Sequence, residues 1–476
     1  MRSHRTKLPY ICLTLALLAP LTVLLFGPLS ATDTEGPAHT KIPVFARLYR
    51  TGCSTCHTAA PKLNVLGEAF RLNGYRFPDN DELLRKEKPI PLGTDPWKEQ
   101  WPRAIWPGKL PETVPFALRI VNDVQFTRDE SVDYDWTYRF PNEIYLLSGG
   151  SLGENIGFFV EAEWTEDDGV ELIQAKVPFR DPLPFLPDRL LNIWIGKQNL
   201  YLLTLGDRQI DRAAKQRLLW SEFDVSGLEA SNLETGERLR SPNDLQPRFS
   251  QPAIEINGIV GHRAYYAAGL SQGTADLATD NNDSKDFFYK LRYKFGGLSL
   301  DGMYDAGGGP VLGTGGQLFD RALIVEHFGY VGEFPVDEGV QDEYRTFGLS
   351  ARWLNGPLDL GAGYVWGEND NPWGLDPPRS VTHWSAFAKA EYFVYPWLMG
   401  SLKVEMLRDT IARELRSDGF THGSLDSTRT LPGLVFLIRQ NVRGVVEAEL
   451  YSRHDPSEQA DLQKPHNLWL RLDIAF

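Results

Sequence analysis

Residues 468–476 read Leu468-Trp469-Leu470-Arg471-Leu472-Asp473-Ile474-Ala475-Phe476. The large aliphatics and the terminal Phe take every second place, and Trp469, Arg471, Asp473 and Ala475 take the others. Successive side chains of an extended strand point to opposite faces, so a period of two predicts a strand with one apolar face. The same period recurs upstream. Phe287, Tyr289, Leu291, Tyr293 and Phe295 alternate with Phe288, Lys290, Arg292 and Lys294. Phe347, Leu349, Ala351 and Trp353 alternate with Gly348, Ser350 and Arg352, and Leu398, Gly400, Leu402, Val404 and Met406 alternate with Met399, Ser401, Lys403 and Glu405. Two folds use such strands. A soluble sandwich packs the apolar faces on each other, and a membrane barrel turns them to lipid while its polar faces line a lumen.

Link lengths separate the two. Short links are predicted at 261–263, 296–297, 355–356, 395–396 and 440–442, and long ones near 199–250, 271–285, 305–343, 367–382, 408–430 and 453–466. Short and long alternate, as turns and loops do in an outer-membrane barrel. Strands placed near 116, 142, 155, 170, 190, 252, 264, 286, 297, 344, 357, 384, 397, 431, 443 and 467 number sixteen, with room for another pair in 199–250. A last strand closing on Phe476 resembles the recognition signal of bacterial outer-membrane barrels. The predicted fold class is therefore mainly β: an antiparallel outer-membrane β-barrel of about 16 strands over 116–476, facing outer-membrane lipid. Its water-filled lumen has room for a small α-helical domain as a plug.

The chain has 476 residues, 43 of them Gly, with 12% aromatics, which suits a β-rich protein with many turns and an aromatic girdle. A formal net charge of −14 speaks against nucleic acid, whose binding needs a basic surface. Arg2, Arg5 and Lys7 precede an apolar run from Leu8 to Leu29, and Ser30-Ala31 follow, the order of a secretory signal peptide over 1–31. An uncleaved anchor is the alternative, disfavoured by Pro20, Gly27 and Pro28. Removal of the signal takes Cys12 with it and leaves Cys53 and Cys56.

Those two stand in Cys53-Ser54-Thr55-Cys56-His57, the pattern for covalent attachment of a c-type haem. Two thiols three positions apart can each form a thioether with one haem vinyl group, and the adjacent His57 then ligates the iron on the proximal side. A redox disulfide and half a zinc site are the alternatives; the zinc site lacks a second pair of ligands, and the dithiol lacks a surrounding βαβ pattern. The distal ligand stays open. The four Met stand at 1, 303, 399 and 406, none near the motif. His39 is a possible distal ligand or a solvated leader residue; His262, His327, His383, His422, His454, His466 and water are the other choices. Phe45, Leu48 and Tyr49 share a helical face before the motif. Leu63, Leu66 and Phe70 share one after it, opposite Asn64, Glu68 and Arg71, with Gly74 as the stop. The predicted organisation is a signal peptide (1–31), a monohaem c-type cytochrome domain (32–77), a Pro/Trp-rich linker or strap (78–115) carrying Trp97, Trp101 and Trp106, and the barrel (116–476).

With these residues in place the chain resembles the fused cytochrome–porin family of outer-membrane iron oxidases. The resemblance rests on Ile42-Pro43-Val44-Phe45-Ala46-Arg47, on Thr51-Gly52 before the haem motif, and on Pro61, Leu63, Asn64, Gly67, Phe70 and Gly74-Tyr75 after it. It implies a ferrous-iron:cytochrome oxidoreductase whose single haem c takes electrons from extracellular ferrous iron, or another redox substrate, and passes them to a periplasmic c-type cytochrome or other electron carrier. Ferric products precipitate near neutral pH, so oxidation outside the cell is chemically sensible. One haem cannot bridge an apolar band about 25 Å tall, which favours a haem held within the pore. Acidic links such as Asp276, Asp280, Asp283 and Asp286, or Glu368 and Asp370, are either cation attractors or ordinary solvated acids. Two other functions fit the same fold: a diffusion porin whose cytochrome is a redox-sensitive plug, and outward electron transfer to an extracellular acceptor.

Overall fold

The computed structural model describes residues 44–476 except 79–80, 87–89, 92–98, 103–108, 111–115, 129–134, 153–154, 208–209, 224–228, 233–235, 237, 244–245, 247–248, 275–281, 305–318, 411–419, 423–425 and 455–465. The expected signal peptide and His39 lie outside the described residues.

Sixteen strands close into one antiparallel barrel in which every sequence neighbour is also a spatial neighbour. They are β1 (Phe116–Arg128), β2 (Asp135–Ser151), β3 (Gly157–Thr165), β4 (Gly169–Arg180), β5 (Asn192–Asn199), β6 (Ser250–Val260), β7 (Ala264–Ser271) and β8 (Asp286–Gly296). The second half is β9 (Asp320–Asp337), β10 (Val340–Gly356), β11 (Leu358–Asn369), β12 (Val381–Tyr395), β13 (Leu398–Asp409), β14 (Ser427–Arg439), β15 (Val442–His454) and β16 (His466–Ala475). β16 returns to β1 in a register running from Ala475 opposite Arg119 to His466 opposite Arg128.

The barrel is inside-out relative to a water-soluble core. On β8, Phe287, Leu291, Tyr293 and Phe295 are exposed while Lys290, Arg292 and Lys294 are buried, and β13 repeats this with Leu402, Val404 and Met406 outside and Lys403 and Glu405 inside. Only an apolar solvent rewards that arrangement. Pairs offset many of the interior charges, as burial demands: Arg429 bonds Glu405 and Glu449 at 2.7 Å each, and Arg471 bonds Asp123 at 2.8 Å.

One strand differs from expectation. The strand placed near 297 and the long link over 305–343 are replaced by β9, with a two-residue turn at 338–339 and a long link at 297–319. Leu298 and Leu300 alternate with Ser299 and Asp301 like a strand, but Leu298 packs in the cluster of Leu66 and Phe70 and Leu300 in that of Leu72 instead. Among the described residues of 199–250, none between Asn199 and Ser250 joins the barrel. The segment contributes short strands at Glu229–Asn232 and Arg238–Arg240, the first pairing with both the second and Phe420–His422 outside the barrel ladder.

Two segments occupy the lumen. The first is the haem-motif segment: α1 (Val44–Tyr49), a 3-10 turn at Cys53–Thr55, a ribbon pairing His57–Ala59 with Lys62–Leu63, and α2 (Val65–Leu72). The carboxamide Oδ1 of Asn64 caps α2 by accepting from Gly67 N–H at 2.9 Å. At the other end, Gly74 N–H donates to the Arg71 carbonyl and Tyr75 N–H to the Phe70 carbonyl, each at 3.0 Å. With Gly74 at φ +69° this is a Schellman stop. The apolar face of α2 joins Phe45, Tyr49, Tyr75 and Phe77 in an aromatic cluster that also takes in Phe159 of the barrel wall. Its polar face docks on the wall: Glu68 bridges Arg71 and Arg292, both at 2.7 Å.

The second segment is the link after β5, which turns inward. Leu200, Leu202, Leu203, Leu205, Leu218 and Trp220 pack on Phe288, Phe328, Tyr330 and Phe387 of the wall. It meets the haem-motif segment directly, with Leu63 N–H donating to the Ile210 carbonyl at 3.0 Å. Beside that bond Lys62 is buried among Asp211 (3.3 Å), Asp359 (2.5 Å) and Glu391. Lys389 and Arg352 also reach these carboxylates, so three cations balance three anions drawn from the plug, the inward link and the wall.

Candidate functional site

The turn at Cys53–Thr55 carries the motif into the barrel. Cys53 and Cys56 are half-buried free thiols. Burial pushes the Cys56 thiol up to about 12, with Cys53 beside it adding to the shift, and burial raises Cys53 as well. His57 is held by a 3.0 Å bond between its Nδ1 and the Pro61 carbonyl. A carbonyl can only accept, so Nδ1 carries the proton and Nε2 keeps its lone pair. Burial also lowers the His57 pKa against the pull of the Pro61 and Lys62 backbone, which keeps the ring neutral and able to ligate a metal.

The residues after the motif fix its shape. Asn64 Nδ2 donates to the carbonyls of Ser54 and Thr55, both at 3.0 Å, and Asn64 N–H donates to the Cys56 carbonyl at 2.9 Å. Gly67 lies so close to this turn that an added Cβ would stand 2.1 Å from the Cys56 carbonyl oxygen. Asn64 and Gly67 therefore belong to the motif physically, one as its clasp and the other as the gap it needs.

Cys53, Cys56 and His57 all line one cavity with about 1440 Å³ of empty volume. Its walls are mostly apolar: Phe45, Leu63 and Phe70 from the plug, and Leu118, Leu147 and Phe159 from β1 to β3. Tyr75 stacks between Phe45 (5.9 Å) and Phe159 (5.0 Å), joining plug to barrel. Arg71 and Arg119 supply positive charge to the lining, Arg119 lying over the Tyr145 ring at 4.8 Å and bonded to Asp473 at 2.6 Å. Two thiols, a neutral imidazole with a free Nε2, apolar walls and nearby guanidinium groups fit a covalently bound macrocycle with anionic substituents. The residues suit a c-type haem: Cys53 and Cys56 would hold it, and His57 would ligate its iron.

No second imidazole and no thioether lines this cavity among the described residues. His262 bonds Asp301 at 2.6 Å in a turn, His327 bonds Tyr289 at 3.0 Å, and His383 stacks on Phe223 at 3.9 Å inside the barrel away from the cavity. Two of the acids singled out from sequence have structural partners: Asp286 accepts from Tyr330 and from Tyr344 (2.6 Å), and Glu368 accepts from Arg345 at 2.6 Å. The barrel's share of the cavity, Arg119, Tyr145 and Phe159 above all, had no signal in the sequence. Alternation tells which residues face inward, but not at what height they meet a plug.

No family model matches the chain, and no curated protein matches it. Among solved structures it is similar to an anion-selective porin from Comamonas acidovorans (11% identity, TM-score 0.49, covering 76% of this chain and 98% of that one). It is similar also to Salmonella typhi OmpF in complex with daunomycin (11%, TM-score 0.49, 76% and 97%) and to the outer membrane channel DcaP of Acinetobacter baumannii (10%, TM-score 0.47, 76% and 97%). These likenesses are too remote to say what this chain binds or conducts.

Proposed function

We propose that this chain is an outer-membrane electron-transfer protein holding one haem c in a barrel lumen, attached through Cys53 and Cys56 and ligated by His57. Electrons pass from an extracellular donor, ferrous iron first, to a periplasmic cytochrome or other carrier. The observation that carries the proposal is the arrangement of His57, its Nδ1 committed to the Pro61 carbonyl within an apolar cavity shared with both thiols. Bound haem supplies one-electron exchange, tuned by axial ligation and burial. The chain's own residues do the rest. Pro61 fixes the imidazole tautomer, Phe45, Phe70, Tyr75 and Phe159 keep water from the cavity, and Arg71 and Arg119 offset negative charge there. The exposed apolar band supports placement in an outer membrane, and the exposed Gly52 and Ser54 on either side of Cys53 give a carrier a close approach.

The barrel taken alone favours a second reading, a diffusion channel with the cytochrome segment as a redox-sensitive plug. The Lys62 network speaks against free passage, because it ties plug, inward link and wall into one body. Stopped-flow mixing of the purified, oxidised protein with ferrous iron separates the readings. Fast reduction of the haem bands, lost in His57→Ala and in the double cysteine variant, supports electron transfer. A haem that stays oxidised in a protein conducting solutes across a bilayer overturns it in favour of the channel, and reoxidation only by external acceptors indicates outward flow.

A further inference from the structure

Lys176 of β4 points into the lumen and is 1% exposed. The charges that face it from other elements are Arg71 of α2, Glu161 of β3, Glu255 of β6 and Lys290 of β8. Two of these cations meet acids directly: Lys290 bonds Glu255 at 2.8 Å, and Arg71 bonds Glu68 at 2.7 Å. Lys176 bonds an uncharged group instead, its Nζ donating to Gln174 Oε1 at 2.9 Å, and among the described residues no carboxylate pairs with it. The rest of its surroundings are rings. Nζ stands 4.9 Å from the ring centre of Tyr201, 5.3 Å from Trp194, 5.6 Å from Phe159 and 6.0 Å from Tyr75. Ring faces attract a cation, which makes such a box tolerable for an ammonium group. They do not neutralise it.

Two of these rings are walls of the haem cavity. Phe159 and Tyr75 line it, as do Arg71 and Glu161, and Lys176 does not. The register sets Lys176 directly opposite Phe159 on the adjoining strand. The ammonium group is therefore one ring removed from the space that Cys53, Cys56 and His57 share. Glu161 is the charge of opposite sign in this wall, and Gln174 keeps the two apart. Its Nε2 donates to Glu161 Oε2 at 3.0 Å while its Oε1 accepts from Lys176. The amide between them prevents the direct contact in which one field would cancel the other.

Resting on the electron-transfer reading above, we infer that Lys176 is a positioning residue for the redox step, its positive charge raising the haem's reduction potential across the Phe159 ring. Reduction adds one electron at the iron and breaks no bond, so a fixed cation nearby favours the reduced form. The low-dielectric interior screens that field far less than water does. A unit charge roughly 10 Å away, acting through an effective dielectric of about 20, changes such an equilibrium about tenfold. For one electron that is about 59 mV. A haem held at a higher potential takes electrons from weaker reductants, which favours flow inward over flow outward.

The test is a potentiometric titration of the full haem-loaded chain in detergent, with soluble mediators, read on the haem bands. It is run at pH 6, on the acid side of neutrality, where an amine carries its proton. Lys176→Met keeps the length of the side chain and suits an apolar box, so the barrel and its haem content should be unchanged. Its ratio of reduced to oxidised haem at a fixed applied potential is expected to fall about tenfold, a drop of about 59 mV in the midpoint. Lys176→Arg keeps the charge and is expected to stay within threefold of wild type. A Lys176→Met ratio within twofold of wild type overturns the inference. So does an equal fall in Lys176→Arg, which would mean that shape rather than charge is at work. If Lys176→Met fails to fold, Lys176→Gln is read by the same criteria. The electrode supplies the electrons, so the outcome for Lys176 holds whichever external donor the protein uses. Wild-type protein that carries no covalent haem overturns the electron-transfer reading, and this inference with it.

Discussion

Replacing Lys62 with Met removes the one cation that the plug contributes to the buried network of Asp211, Asp359, Glu391, Lys389 and Arg352. Three largely buried carboxylates then face two cations. Breaking a buried pair by deleting one partner costs about 3–5 kcal/mol, since the stranded charge has nowhere to be solvated. The contact between plug and inward link opens more often by the same amount, about a hundredfold to a few thousandfold. The Leu63 amide reports on it, because its hydrogen bond to the Ile210 carbonyl (3.0 Å) spans that contact. Hydrogen exchange of the detergent-solubilised protein, read by mass spectrometry on peptides covering Leu63, should accelerate by this factor while β12 and β13 keep their protection. Lys62→Met/Glu391→Gln, which restores two charges against two, should recover most of the loss. The sign with pH follows from Lys62 itself. Burial opposes its charge, but Asp359, Glu391 and Asp211 hold its pKa above the usual lysine value. Its contribution is therefore complete below about pH 10.4 and is lost only as pH rises through the still higher folded value, so alkali up to pH 10 should not loosen the plug. Leu63 exchange within threefold of wild type in Lys62→Met refutes the reasoning.

Gly67→Ala drives a Cβ into the Cys56 carbonyl (2.1 Å), so haem staining per mole of folded barrel should fall severalfold; full staining would contradict the close approach. Asn64→Ala loses a helix cap, about 1 kcal/mol, and two bonds to the motif turn, about 1 kcal/mol each. The midpoint for thermal loss of the haem bands should drop, and an unchanged midpoint would show that Asn64 is not the clasp. For Glu68, burial disfavours the carboxylate, yet Arg71 and Arg292 hold its pKa well below the usual range. A depressed carboxyl stabilises above its unfolded value of about 4.3 and loses that contribution as pH falls through the folded one. Glu68→Gln should therefore loosen the plug fully at pH 7, and the gap from wild type should persist at pH 5; closure of the gap by pH 5 argues against the Arg pairing. In haem-free protein at pH 8, iodoacetamide should modify Cys53 before Cys56, whose thiol is pushed up to about 12, and equal rates would contradict the burial difference.

The barrel was legible because its solvent forces a strict period of two. The windows at 287–295, 347–353, 398–406 and 468–476 became β8, β10, β13 and β16. Legibility failed at 297–337, where Leu298-Ser299-Leu300-Asp301 alternates because it packs on the plug. The true strand β9 hid because Phe328 and Tyr330 face inward onto the folded-in link, so both of its faces are apolar. At the site, Cys53, Cys56 and His57 announced themselves by spacing. Lys62, an ordinary lysine in sequence, became a keystone only when residues some 150 to 330 positions away surrounded it.

The seam between β1 and β16 has a consequence for how the molecule matures. Leu118 and Phe476 exchange both of their backbone hydrogen bonds there, and Arg119 reaches across to Asp473. Ala117, Leu118, Arg119 and Ala475 are also wall residues of the haem cavity. The wall of the cavity shared by Cys53, Cys56 and His57 is thus completed only when β16 joins β1, and a barrel stalled before that seam zips leaves one side of the cavity unbuilt. On the proposed haem reading, β16 would therefore close the cofactor's housing in the same step that closes the barrel.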